Sequence, residues 1–350
     1  MGPAPVQLVR GRDRSADVEA FAAEHGGRVG LEGVLADLNR RAFPAFDTGS
    51  AATWGFRWDE EDNDSKRWWP QGITSSAEAG AGTGVGTGTD EYAGRRLLVT
   101  TSYSKTIGGE NKGCRISVVD LTDEGAIRYR HVLLAVVGLN DFGGPEVRPV
   151  NAHAGGIVWR GRYLHVAATK RGFHTFRVDD VVKVPADTGL GHRYVLPLRA
   201  SWGSRTAEGV EPVAYSFLSL AREGGEDALL VGEYGRGGMT QRLLTYPLDA
   251  AGLPVADDAG VATPGTLPDG PSRMQGAVLV DGRLHVVTSN GRYGRGSLWV
   301  GPPGALERVP KVLPAGPEDI TYWPSREELW ITTEYPGRRF VLAFDRRHFD

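Results

Sequence analysis

Leu97-Leu98-Val99-Thr100-Thr101-Ser102-Tyr103 is a short apolar run that turns polar and then aromatic, and the chain writes it five times. The other copies are LHVAATK from Leu164, LLVGEYG from Leu229, LHVVTSN from Leu284 and LWITTEY from Leu329. Their starts are separated by 67, 65, 55 and 45 residues. That spacing is too long for a solenoid and suits propeller blades of about 40–50 residues with insertions.

Each copy reads as the second of four strands. An inner strand precedes it: Gln71–Thr74, Gly155–Val158, Val213–Tyr215, Gln275–Val278 and Asp319–Tyr322. Turns such as Gly161-Arg162 and Asp281-Gly282 join the two, and Asp-Gly is a strong hairpin signal. Third strands follow at Arg115–Leu121, Phe173–Val178, Leu243–Leu248, Ser297–Val300 and Phe340–Phe344. Fourth strands are weaker: Tyr129–Val137, Arg193–Leu198, a stretch near Val261, and Arg308–Leu313. The last blade reaches Asp350 without one. A ring left open there exposes a strand edge, so Val6–Arg10 or a neighbouring N-terminal segment is expected to complete it. The expected architecture is all-β. Residues 1–50 form an N-terminal segment, the closing strand plus helices at Ser15–Glu24 and Leu31–Arg41, and residues 51–350 form a five-bladed β-propeller. Ala79–Asp90 is low-complexity and falls between the first two strands of the first blade.

Composition narrows the function. A net charge of −3 over 350 residues argues for neither nucleic acid nor an anionic membrane as partner. Cys114 stands alone, which excludes an internal disulfide and a Cys-rich zinc site. No apolar leader is visible, so a cytoplasmic protein is expected, or a secreted one if a leader has been removed. Walker, Rossmann, HExxH and GxSxG motifs are absent from the sequence. The run Asp59–Asp64 lacks EF-hand spacing and reads as a solvated charge run. No cofactor is expected, although an axial calcium or magnesium on oxygen ligands is compatible with the sequence.

Propeller geometry gathers the loops that precede the inner strands, and those that follow the repeated strands, at one rim of the channel. This rim collects the chemically rich residues. Candidate catalytic groups are His153, Glu318, Glu211 and Glu334; candidate substrate contacts are Trp58, Trp69, Gln71, Tyr103, Lys170, Tyr234, Arg273, Gln275 and Tyr335. In Asn151-Ala152-His153-Ala154-Gly155-Gly156, small neighbours leave the imidazole room to face the channel, and its pKa suits proton transfer. Glu318 and Asp319 are adjacent, so strand alternation lets only one line the channel, where Glu334 could approach it. Two carboxyls held at different pKa values divide acid and base roles. His165 and His285 occupy matching positions of the repeat and read as structural.

Four stretches also carry a resemblance: Trp54–Asp59 (WGFRWD), Trp69–Thr74 (WPQGIT), Tyr129–Leu134 (YRHVLL) and His153–Trp159 (HAGGIVW). Through them the chain resembles a family of actinobacterial propeller proteins labelled hypothetical or secreted. The resemblance runs from about residue 50 to the C-terminus and implies the fold, without an established chemistry. The function expected from the rim is a cofactor-independent enzyme acting by acid–base chemistry on a small organic molecule. Cyclisation, elimination or hydrolysis in specialised metabolism would suit it. The alternative is a non-catalytic propeller that binds a glycan or a protein.

Overall fold

The computed structural model describes residues 5–350 except 47, 49, 81–89, 140–144, 187 and 224. The chain is all-β with few, short helices. Its strands pair antiparallel in successive runs of four. The first run is Trp68–Ser75, Leu97–Ser104, Cys114–Asp120 and Arg128–Leu139. The second is Ile157–Arg160, Tyr163–Ala167, Gly172–Arg177 and Tyr194–Thr206. The third is Phe217–Glu223, Glu226–Gly232, Leu243–Pro247 and Gly265–Leu267. The fourth is Met274–Val280, Arg283–Asn290, Gly294–Gly301 and Glu307–Val309. The fifth is Pro317–Trp323, Glu328–Thr333, Phe340–Asp345 and Trp54–Arg57.

The repeated strand is apolar throughout because both its faces are covered. Leu97 and Val99 pack towards the second run, whereas Leu98 packs with Trp323 and Trp330 of the fifth. Leu229 and Val231 face the second run, while Leu230 faces the fourth. Period-2 alternation therefore feeds two cores from one strand, as in sheets buried on both sides.

The first strands of the five runs contact one another in a ring. Glycine permits the approach: a Cβ on Gly72 would lie 2.7 Å from the Gly156 carbonyl carbon, and one on Gly276 would lie 2.7 Å from Asp319 Cα. Asp319 locks the ring, because its Oδ2 accepts the N–H of Ile73 at 3.1 Å and of Ile157 at 3.4 Å.

Several expectations change. The last run is completed from the N-terminal side, but by Trp54–Arg57, just beyond residues 1–50. Val6–Arg10 instead pairs with Trp202–Thr206 and with Val261–Ala262. Val261 therefore is not the fourth strand of the third run, and Val213–Tyr215 precedes the inner strand there. The Leu31 helix ends at Leu35, and Arg40–Arg41 pairs with Arg128–Tyr129. Ser15 opens the first helix without capping it; its hydroxyl bonds Asp13. Most of the Gly/Thr-rich insertion lies outside the described residues. Its flanks are anchored: Ala79 O accepts Gly161 N, and Asp90 accepts the indole N–H of Trp323.

The acidic run is not solvated as a whole. Asp59 caps the helix Glu60–Asp64, and Asp62 is buried. It binds Arg115 Nη2 at 2.6 Å, Tyr129 OH at 2.7 Å and His131 Nε2 at 2.8 Å. Burial alone would raise this carboxyl; the His131 bond and the charges of Arg115 and Arg40 outweigh it and hold the group far below the usual range. Burial, with Arg115, pushes His131 down to about 4, so a neutral ring donates to Asp62.

Candidate functional site

Three inner strands break register in the same way. Between Pro70 and Ile73, Met274 and Gly276, and Pro317 and Ile320, the inner strand holds one residue more than its partner. Such a bulge re-aims side chains that strict alternation would send elsewhere. Gln71, Gln275 and Glu318 lie at these breaks and all line one cavity at the channel mouth, about 460 Å³ in volume. His153, Lys170, Tyr234 and Glu334 line it too. The adjacency argument for Glu318 and Asp319 fails for this reason. Both are buried and turned to the axis, Glu318 into the cavity and Asp319 into the ring below it.

Burial dominates the electrostatics. Gln275 Nε2 donates to Glu318 Oε1 at 3.1 Å, and Gln71 Nε2 approaches Glu334 Oε2 at 3.5 Å. Burial, then Glu334, then Asp319 push the Glu318 carboxyl well above its ordinary range. Burial also raises Glu334, but Tyr335, Lys105, Gln71 and Arg339 oppose it. Glu318 is therefore the better proton holder of the pair, and Glu334 the better carboxylate. Burial and Lys105 lower His153, which keeps its imidazole neutral near pH 7. Its ring lies 4.5 Å from that of Tyr103.

The glycines after His153 do more than leave room for its ring, whose Cδ2 would lie 3.7 Å from a Cβ on Gly155. A Cβ on Gly155 would lie 1.9 Å from Ser216 O, and one on Gly156 would lie 2.1 Å from Leu218 N. They let the second run touch the third, while His153 faces the cavity on its own account. Ala154 adopts φ +55°, an uncommon conformation without glycine, and its carbonyl accepts Thr101 Oγ1 at 2.7 Å.

Other candidates lie around or away from this mouth. Tyr103 lines an adjoining cleft. Trp69 and Tyr335 meet edge-on at 5.9 Å beside it, with Lys105 Nζ 4.4 Å from the Trp69 ring centre. Trp58 is in the core, edge-on to Phe56 and Tyr129, so it is no substrate contact. Glu211 is exposed outside the cavity and offers only its carbonyl to Arg242. Arg273 is exposed; its backbone N–H binds Tyr234 O at 2.6 Å and its side chain lies outside the lining. Ser216, Met239 and Thr169 line the cavity without having been singled out, since small and unbranched loop residues carry no pattern. Among the described residues, no group of three or more His, Cys, Asp or Glu side chains is placed to hold a metal ion.

A second buried carboxyl lies at the other end of the channel. Glu78 binds Thr74, and burial pushes it up to about 7. It lines a cavity of about 320 Å³ with Arg222 and Tyr322. Nothing in Ser75-Ser76-Ala77-Glu78 marks it in the sequence. Among the described residues no helix is long and apolar enough to cross a membrane.

No family model and no curated protein matches the chain. Among solved structures it is similar to a GH43_1 enzyme from Xanthomonas citri, at 10% identity and TM-score 0.40 over 80% of this chain and 88% of that one. It is similar to a gluconolactonase from Xanthomonas campestris, at 12% identity and TM-score 0.34 over 88% and 85%. The β-propeller domain of Cps50 (Swd1) from Myceliophteria thermophila is similar at 11% identity and TM-score 0.36 over 84% and 99%. At these identities and TM-scores the likenesses assign no activity.

Proposed function

We propose that the five runs are the blades of a five-bladed propeller and that its axial mouth is the active site of a cofactor-independent acid–base enzyme acting on a small organic molecule. The observation that carries this reading is the pair Glu318 and Glu334, set in one cavity with a glutamine on each. Glu318, protonated, donates a proton to a leaving oxygen or an unsaturated centre. Glu334, ionised, or neutral His153 takes one from water or from carbon. A cyclisation, an elimination or a hydrolysis needs no more than these two transfers, and specialised metabolism is the setting where such chemistry fits.

The test is a library of small uncharged and charged metabolites incubated with the protein and read by mass spectrometry for product. Glu318→Gln keeps the shape of the side chain and removes the acid, so turnover of any substrate found should fall roughly 10²–10⁴-fold. A ligand that binds the mouth and is returned unchanged by wild type would favour the non-catalytic binding propeller instead.

A further inference from the structure

The axial cavity does not end at His153. A cleft of about 450 Å³ continues from it between the first and second runs, and His153 and Thr169 line both spaces. Its walls include Lys105, Asn111, Asn151 and Arg171, and no carboxylate among the lining residues. The neighbouring cations Arg67 and Lys112 are both paired with Glu110. Lys105 and Arg171 form no ion pair among the described residues. Lys105 instead rests between the rings of Trp69 and Tyr103, at 4.4 and 5.1 Å. The loop that carries Arg171 is bent by Lys170 at φ +65°, a conformation that a side chain rarely adopts without a local reason.

An acid-bearing floor beside a cation-lined cleft sorts a ligand by its ends. Ionised Glu334 disfavours an anion in the floor of the axial cavity, because a second negative charge would be buried beside it and beside the carboxyl of Glu318, while the one cation of that lining, Lys170, is exposed. The cleft offers two cations, Lys105 and Arg171, and amide and hydroxyl groups, the chemistry that recognises a carboxylate or a phosphate. We propose that the ligand carries an anionic group, held in the cleft between Lys105 and Arg171, with its uncharged part reaching past His153 to Glu318 and Glu334. The proposal rests on the reading of the mouth as an active site and adds the class of its substrate: a small amphiphilic acid or phosphate ester.

Calorimetric titration of the full chain with benzoate, phenyl phosphate and the neutral benzamide separates charge from shape. Saturable binding of either anion at low ionic strength, at least about tenfold tighter than benzamide, is expected, and it should weaken as salt is raised. The ratio of the two anions then names the headgroup. Lys105→Met and Arg171→Met should each weaken the anion roughly five- to twentyfold and leave benzamide within about twofold. Lys105→Arg should restore most of the loss, which a merely structural role beside Trp69 would not. Equal binding of charged and neutral probes, no saturable anion binding, or anion affinity unchanged in both methionine variants would overturn the proposal. Glu318→Gln keeps the two readings apart. It should lower turnover roughly 10²–10⁴-fold yet leave anion affinity within about twofold. Anion binding with no turnover in wild type sinks the catalytic reading alone, and turnover without charge preference sinks the cleft alone.

Discussion

Gln275 Nε2 donates to Glu318 Oε1 at 3.1 Å, from the register break of one inner strand to that of the next. The bond fixes the rotamer of a buried carboxyl at the point where two sheets meet. Burial, with Glu334 and Asp319 nearby, raises the pKa of this carboxyl, so Glu318 keeps its proton to higher pH than an exposed glutamate. Activity that uses Glu318 as an acid should therefore decline on the alkaline side as this proton is lost. Gln275→Glu would add a third carboxyl beside it. The kcat/KM profile of Gln275→Glu should show its alkaline limb moved to higher pH, and an unmoved limb would remove Glu318 from the role of acid.

His153 supplies the other limb. Its pKa lies below the ordinary 6.5, lowered by burial and by Lys105, so the neutral base persists into mildly acid solution. If it accepts a proton, activity should be lost only below about pH 6.5, and His153→Ala should cost roughly 10²–10⁴-fold in turnover with the fold intact by circular dichroism. A variant that melts lower but turns over normally at a temperature where it is folded would leave His153 as a packing partner of Tyr103.

Glu78 gives a stability prediction whose sign follows from its pKa, raised from 4.5 to about 7 by burial. Between these values the folded chain holds a proton that the unfolded chain releases. Stability from this group is thus present at low pH and falls as pH rises towards 7, by up to roughly 3 kcal/mol. Glu78→Gln should flatten that decline. Denaturant midpoints measured from pH 4.5 to 7.5 in both proteins check it, and parallel curves would refute it.

Asp62 has the opposite sign. Its carboxyl is depressed, so its contribution is present above the ordinary 3.8 and is lost as pH falls below it. Asp62→Ala would leave buried Arg115 without its partner, and a loss of about 3–5 kcal/mol is expected. Glu60→Ala, two residues earlier in the same helix and exposed, should stay within about 0.5 kcal/mol. Urea unfolding of the two variants measures the difference, and equal effects would mean that the acidic run is solvated after all.

The contrast between these residues shows what the sequence could reveal. The five repeated strands were legible because burial on both faces forces a continuous apolar run, as in Leu97–Val99 and Leu229–Val231. The mouth was legible because propeller order alone sends Gln71, His153, Gln275, Glu318 and Glu334 to one rim. Alternation misplaced Asp319, since a bulge leaves no mark in composition. Asp62 was misread because its partners, Arg115, Tyr129 and His131, arrive from strands more than fifty residues away. Trp58 shared its aromatic character with Trp69, and only the packing of Phe56 and Tyr129 tells a core ring from a rim one.

Closure of the ring is the prediction on which the fold depends most. Trp54–Arg57 pairs with Phe340–Ala343, so the two ends of the repeat array meet within one sheet. Gly55 sits opposite Leu342, and an added Cβ would lie 2.5 Å from both Leu342 Cδ2 and Val341 O. The carbonyl cannot move without breaking the ladder that closes the array. Gly55→Val should therefore cost at least about 3 kcal/mol, beyond what overpacking a compliant core site costs. Gly203→Ala is a fair control, because its added methyl meets nothing nearer than Val9 O at 3.8 Å. Deleting residues 1–12 removes the ladder from Val6–Arg10 to Trp202–Thr206 and the packing of buried Leu8. It exposes an outer edge and leaves the ring shut, so its cost should be the smaller of the two. Thermal melts of the three variants decide the order. If the truncated chain is less stable than Gly55→Val, the N-terminal strand, and not Trp54–Arg57, is the element that holds the array closed.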